Sequence, residues 1–310
     1  DPACWAQSPA VAPQKTQLDA TVEREIDELL ARMTIEEKLG QLAQYRSGWG
    51  ETGPTITEVQ EEDILTGQIG SFLGVHGVDY TRRLQKMAVE GTRLGVPLIF
   101  AQDVIHGYRT IFPMPLAEAA SWDLELVEHA ARIAAIEATA GGIHWTFAPV
   151  CDVSRDPRWG RIVEGPGEDP YLASMMTAAR VRGFPGDDLK DVDTLLACAK
   201  HFATYGTVEA GRDYNTVDLS ERTLRALHLP PFHAAVQAGV ETFMASFNEV
   251  NGVPAHANRR LMTDILRDQW GFAGFVVSDY TGVMELMKHG VAANDAEGGP
   301  LALRAGVDMD

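Results

Sequence analysis

The sequence predicts an α/β protein folded as a single parallel (β/α)8 barrel of the TIM type, with room for an irregular early strand. Three observations point there. Short apolar runs alternate with helix-period segments from Leu18 to the end of the chain. The span 18–310 is close to the ~250 residues that an eight-fold barrel occupies. No G-x-G-x-x-G or P-loop follows any apolar run, although an open doubly wound sheet usually carries one after its first strand.

The elements follow in order. Val22, Ile26, Leu29, Leu30 and Met33 recur at helical spacing. Thr34-Ile35-Glu36-Glu37 reads as a capping box that opens a second helix towards Tyr45. Residues 47–58, rich in Gly, Thr and Ser, read as a loop. Ile69 to Leu73 reads as a strand, and Leu84, Met87, Ala88 and Leu94 mark a helix ended by Gly95. Strands are then expected at Val96–Ala101, Ile143–Val150, Leu195–Ala199, Glu241–Phe247 and Phe275–Ser278. Between them, helices are expected at Leu124–Ala140, closed by Gly141-Gly142, and at 171–182. Further helices are expected at Ser220–Ala238, interrupted by Pro230-Pro231, and from an Asn258 cap to Gln269. Val283–Lys288 reads as helical, and Ala305 to Met309 opens a last apolar run.

Residues 1–17, rich in Ala, Pro and Gln and without periodicity, read as a flexible leader, so the domain is placed at 18–310. The net charge of −18, with no basic cluster, argues against nucleic acid and anionic membranes as partners. No stretch reaches the ~18 apolar residues of a membrane-spanning helix. Cys4, Cys151 and Cys198 cannot all pair within one chain and match no zinc spacing, so they read as small buried hydrophobes.

Polar residues follow each apolar run. Gln102, Asp103 and His106 follow the run at 96–101. Asp152, Arg155, Asp156, Arg158, Arg161 and Glu164 follow the run at 143–150. Lys200 and His201, then Asn248, then Asp279 and Tyr280 follow the next three. In a parallel barrel those ends converge on one mouth, where barrel active sites are assembled. Carboxylates that accept from hydroxyls, cations that donate to them, and aromatic rings suit a neutral polyhydroxylated ligand. No organic cofactor or catalytic metal is implied, because His106, His144 and His201 sit on separate segments and no H-E-x-x-H occurs.

Each residue also has a structural reading. A lone Asp after a strand is often a helix cap. His144 reads as a structural histidine, and Arg155 and Arg158 as partners of Asp152 and Asp156. Trp122, Trp145 and Trp270 read as core.

The motifs Gln-Asp-Val-Ile-His-Gly (102–107), Ala-Pro-Val-Cys-Asp-Val-Ser-Arg-Asp-Pro-Arg-Trp-Gly-Arg (148–161), Glu-Gly-Pro-Gly-Glu-Asp-Pro-Tyr-Leu (164–172), Lys-His-Phe (200–202) and Val-Val-Ser-Asp-Tyr (276–280) resemble glycoside hydrolase family 3. The overall pattern is similar to the barrel domain of that family's bacterial periplasmic β-glucosidases. The resemblance implies a retaining, exo-acting β-glucosidase that releases terminal glucose through a glycosyl-enzyme on Asp279. It implies sugar contacts from Asp103, Arg161, Lys200 and His201, with Met244 near the ring. It also implies a periplasmic or secreted location.

Two departures matter. Phe247 stands where the family often has a Tyr. The family's multidomain members take their acid/base Glu from a C-terminal α/β sandwich domain; residues 18–310 are expected to supply only the barrel, with that domain as the expected partner. The single-barrel branch carries an Asp-Ser-His after Lys-His-Phe, and residues 203–215 contain none. Glu164 and Glu209 are the carboxyls within the barrel that would otherwise serve as acid. A β-xylosidase or broad β-glycosidase is an alternative activity, and a catalytically silent sugar-binding fragment is an alternative of another class. An apolar mouth left uncovered leads to the expectation of a homodimer.

Overall fold

The computed structural model describes residues 20–50 and 53–310. The expected leader and Cys4 lie outside the described residues. The first helix, α1 (Ala20–Arg32), carries the Val22, Ile26 and Leu30 stripe, which stands exposed. The Thr34–Glu37 capping box forms at the start of α2 (Ile35–Gln41). That helix stops short of Tyr45, because β1 (Gln44–Arg46) takes over. A hairpin follows where the sequence reads as a loop, made of β2 (Gly48–Gly50) and β3 (Gly53–Thr55). Its Gly-rich strands carry almost no apolar alternation to reveal them.

Then come α3 (Glu58–Leu65), β4 (Ser71–Leu73), α4 (Val78–Gly91), β5 (Ile99–Gln102), α5 (Pro115–Ala119) and α6 (Leu124–Ala140). After β6 (Trp145–Thr146) follow α7 (Pro170–Gly183), β7 (Cys198–Phe202) and the short α8 (Glu221–Thr223). This last runs through a π turn at Leu224–His228 into α9 (Pro230–Gln237), with Pro230 at the first helical position. The chain continues with β8 (Thr242–Ala245), a hairpin of β9 (Glu249–Val250) and β10 (Val253–Pro254), and a π-helical segment at Arg260–Gln269. It ends with β11 (Phe275–Val277) and α10 (Asp295–Ala305).

The parallel strands pair as two sheets, one in the order β1-β4-β5-β6 and one in the order β11-β8-β7. Single bridges pair Trp145 with Leu196, Val150 with Lys200 and Val277 with Met309. At the other edge the Gln44 amide donates to the Asp310 carbonyl at 2.8 Å, and the Asp310 amide donates to the Leu42 carbonyl at 3.0 Å. The strand expected over Ile143–Val150 joins its sheet only at Trp145–Thr146, and Pro149 within it has no N–H to donate.

Two apolar layers result. One side chain from each of five parallel strands, Ala101, Trp145, Cys198, Met244 and Val277, meets in a single buried cluster with Phe147 and Met309. Outside it, alanines of α6 (Ala131, Ala134, Ala135 and Ala138) let that helix pack closely against α7, near Phe184 and Val181. Trp145 is core as expected, and Trp270 packs against the outer layer. Trp122 is not core: it sits between α5 and α6 with 67% of its surface exposed. Cys151 and Cys198 are buried free thiols. His144 accepts the Phe100 amide at 3.3 Å and stacks on that ring, the structural role read for it.

Candidate active site

The ends of β5, β7, β8 and β11 bring Asp103, Lys200, Met244 and Asp279 to one cavity of about 530 Å3. Arg161 and Glu164, from the long segment after β6, complete that wall, and Tyr45, Arg46 and Tyr280 stand at its other side. Five of the six site residues expected from the sequence therefore line a common space. The sixth, His201, lies behind it and is almost wholly buried.

Lys200 and His201 are consecutive in β7 and joined by a cis peptide bond; Lys200 reaches the cavity and His201 packs into the wall. Lys200 Nζ donates to Asp103 Oδ1 at 2.5 Å. Burial opposes the ammonium charge, but the Asp103 and Asp279 carboxylates outweigh it and hold the Lys200 pKa above its ordinary value. Arg161 grips Glu164 through two 2.8 Å hydrogen bonds, in the forked geometry typical of guanidinium–carboxylate pairs.

Behind this pair, Arg161 Nη2 donates to His201 Nε2 at 2.9 Å. The other ring nitrogen, Nδ1, lies 2.8 Å from Asp152 Oδ2, which also accepts the His201 amide at 3.1 Å. With a guanidinium donor on one nitrogen and a carboxylate acceptor on the other, the ring is neutral and carries its proton on Nδ1. Burial, followed by the Arg161 and Lys200 charges, pushes its pKa well below the ordinary value. Asp152 thus pairs with His201, not with Arg155 or Arg158 as read from the sequence, and Arg158 pairs with Asp156 alone. Burial raises the Asp152 carboxyl to about 7.

Asp279 ends this chain of contacts. Its Oδ1 accepts the Tyr280 amide at 2.7 Å, and its own amide donates to His256 Nε2 at 3.1 Å. Its Oδ2 is buried and accepts no hydrogen bond among the described residues; the nearest basic nitrogen, His201 Nε2, is 3.6 Å away. Burial raises the Asp279 pKa to about 6, against the pull of Lys200, the Tyr280 amide and Arg161.

Several contributors were not legible beforehand. Asp152 and His256 act on residues 49 and 23 positions away. Tyr205 packs edge-on to His201 and lies under the Arg161 guanidinium. Phe247 is buried in a cluster with Trp159 and Tyr205, and the half-exposed Tyr214 ring packs against it. Of the two carboxyls considered as an internal acid, Glu164 lines the cavity and Glu209 does not.

Residues 34–310 match the family model described as the glycosyl hydrolase family 3 N terminal domain. The chain is 42% identical over 284 residues to a periplasmic beta-glucosidase of Salmonella typhimurium, covering 92% of this chain and 37% of that protein. It is 35% identical over 304 residues to a beta-xylosidase of Formosa agariphila, covering 96% of this chain and 38% of that one. A crystal structure of a beta-glucosidase from Listeria innocua in complex with glucose superposes with a TM-score of 0.86 at 41% identity, covering 93% of this chain and 41% of that chain. The chain therefore spans about two-fifths of the length of these relatives.

Proposed function

The chain belongs to glycosyl hydrolase family 3, and from that premise we propose that it is the sugar-holding, nucleophile-bearing part of a retaining, exo-acting β-glucosidase. Its two sheets are the halves of one (β/α)8 barrel spanning 18–310. The bridges at Trp145–Leu196 and Val277–Met309, the Gln44–Asp310 contact and the five-strand inner cluster all support that closure.

In this reading Asp279 attacks the anomeric carbon of a terminal non-reducing β-D-glucosyl unit. The glycosidic oxygen leaves with the aglycone, and water later cleaves the glycosyl–Asp279 ester. The observation that carries it is the unpaired Oδ2: a carboxylate held among Lys200, Arg161 and a neutral His201, with one oxygen engaged and the other accepting no hydrogen bond among the described residues. Asp103 and Lys200 orient the sugar hydroxyls, Arg161 supports that wall, and Met244 packs beneath the ring. His201, buried and already accepting from Arg161, positions the guanidinium rather than meeting the sugar.

Protonation of the leaving group falls to a carboxyl outside these residues, the Glu of a C-terminal α/β sandwich domain. Glu164 is unsuited to the task because Arg161 holds it as a bidentate carboxylate. A β-xylosidase is the second reading, favoured by the similarity to the Formosa agariphila enzyme. The name of the Salmonella relative supports a periplasmic or secreted location. Exposed Tyr45, Tyr280 and Met284 at the mouth support self-association where no partner domain covers them.

Incubation with a 2-fluoro-glucoside bearing a dinitrophenyl group tests the reading, since that leaving group needs little protonation. A fluoroglucosyl adduct on the Asp279 peptide is expected. Labelling of another carboxyl, or none of the folded protein, overturns it. The matching 2-fluoro-xyloside, run in parallel, separates the two sugars.

A further inference from the structure

Beyond β11 the Ser278 amide still donates to the Met309 carbonyl at 2.8 Å, but the next amide, that of Asp279, leaves the sheet and donates to a side chain, His256 Nε2, at 3.1 Å. A backbone N–H withdrawn from water needs such a partner, and here it comes from a separate loop. His256 is 2% exposed and sits in the turn Ala255–Ala257 that follows β10. That turn is tied down: the Ala255 amide donates to the Asn248 carbonyl at 3.1 Å, and Asn248 Nδ2 donates to Thr204 Oγ1 at 3.0 Å. Gly282 packs against the same edge of the ring, where a Cβ would stand 2.2 Å from Nε2 and 2.3 Å from Cε1. The chain reaches that contact through a turn in which the Gly282 amide donates to the Asp279 carbonyl at 2.8 Å and Thr281, a β-branched residue, takes a φ of 60°. Such a backbone persists only where its surroundings hold it. Because Nε2 accepts, the ring carries its proton on Nδ1. Burial, and then the His289 charge, push its pKa down to about 3, so it stays a neutral acceptor.

We propose that His256 is a positioning residue for Asp279: its Nε2 fixes the backbone from which the carboxyl projects, and so the direction in which Oδ2 points. This inference rests on Asp279 being the nucleophile. Two hydrogen bonds divide the task. The Tyr280 amide holds Oδ1 and so orients the carboxyl against its own backbone, and His256 holds that backbone against the rest of the wall. Attack needs Oδ2 aligned with the bond being broken, and a misplacement of about 1 Å at the reacting atoms costs about 100-fold in rate. Without the imidazole the Asp279 amide loses its acceptor, and the strained turn at Thr281 can relax into the space the ring occupied. His256 touches neither the sugar nor the reacting atoms, so its removal acts on the rate of attack and leaves the hydroxyl contacts of Asp103 and Lys200 in place.

The rate of labelling by the dinitrophenyl 2-fluoro-glucoside, followed by mass spectrometry over a range of reagent concentrations, tests this on the folded chain. His256→Leu, which keeps bulk and removes the acceptor, is expected to lower the maximal labelling rate of Asp279 about ten- to hundredfold while the half-saturating concentration stays within about twofold. His256→Gln, whose Oε1 accepts in place of Nε2, should restore most of the rate. Gly282→Ala approaches the same contact from the other side and stands in for His256→Leu should that variant fail to fold. It keeps the imidazole but presses on Nε2, and the same selective loss of rate is expected. If the wild-type chain is labelled at Asp279 and both His256→Leu and Gly282→Ala keep its maximal rate, the positioning role is overturned and the nucleophile stands. If His256→Leu and His256→Gln lose rate equally, or affinity falls along with rate, the ring only fills space and the role is overturned. If the folded wild-type protein is not labelled at Asp279, both readings fall.

Discussion

Asp279→Asn should make this protein more stable, and only at neutral and higher pH. The carboxyl has a pKa of about 6 in the fold, against 3.8 for a free Asp, with burial as the main cause. By linkage, holding it ionised in the fold costs up to about 3 kcal/mol more than in the unfolded chain. Lys200 and Arg161 already act within that value, so it is what remains after their help. Asparagine keeps an oxygen to accept the Tyr280 amide and carries no charge to desolvate. The folded pKa is raised, so the neutral form is the stabilised one. The wild-type contribution is fully present below about pH 4 and is lost as pH rises through about 6. Asp152, raised to about 7, adds a second loss of the same sign in both proteins and cancels in the comparison. Urea unfolding followed by circular dichroism should therefore give nearly equal free energies at pH 4 and a variant advantage of about 2–3 kcal/mol at pH 8. An advantage that is independent of pH, or a variant weaker at pH 8, would refute the claim that burial of an ionised, half-satisfied carboxylate dominates here.

Other consequences are as direct. Long-range proton–nitrogen NMR on histidine-labelled protein should find His201 neutral with its proton on Nδ1 from pH 5 to 8, and a titration near 6.5 would contradict its burial between Arg161 and Asp152. Glu118→Gln breaks a buried ion pair that anchors Arg180, whose Nη1 also donates to the Ile105 carbonyl at 2.6 Å beneath the Asp103 loop. The loss should be about 3–5 kcal/mol in urea, with part of it recovered when Arg180→Met is added. Gly274→Ala would set a Cβ 1.9 Å from the Glu241 carbonyl at the entry to β11, and a loss of about 3 kcal/mol should appear as a lower melting temperature.

Much of the fold was readable because local signals agreed. Asp123 caps α6 and Gly141-Gly142 ends it, and the helix occupies the expected Leu124–Ala140. The opposite holds for α10, which the sequence analysis did not anticipate: Gly298, Gly299 and Pro300 are poor helix formers, yet they lie within it. Apart from β7, the parallel strands that follow an expected run are shorter than it, because a run marks burial, whereas pairing also needs N–H groups in register, which Pro149 lacks. Asp103, Lys200 and Asp279 were visible as polar residues that end apolar runs. Asp152 was visible in the same way but its pairing with His201 was not, and His256 gave no signal, because their partners are distant in sequence and only the fold brings them together. His201 was visible, but its burial was not, because a polar residue beside an apolar run gives no sign of whether its side chain meets a cavity or packs behind it.

The stability cost at Asp279 and the neutrality of His201 have one origin. Asp103 is paired with Lys200, and Glu164 with Arg161, so the two cations that act on Asp279 each have a carboxylate of their own. Asp279 is left with Oδ2 facing a ring nitrogen 3.6 Å away. Were His201 cationic, or its proton on Nε2, that nitrogen would donate to Oδ2 and occupy the lone pair that the proposed attack requires. Asp152 prevents this by taking the Nδ1 proton as its hydrogen-bond donor, and Arg161 prevents it again by donating to Nε2. The buried Asp152–His201 pair therefore touches no sugar in the proposed reaction, yet it keeps the Asp279 oxygen free. The same freedom leaves a buried acceptor unpaired, which is why asparagine at 279 should make a steadier and inactive protein.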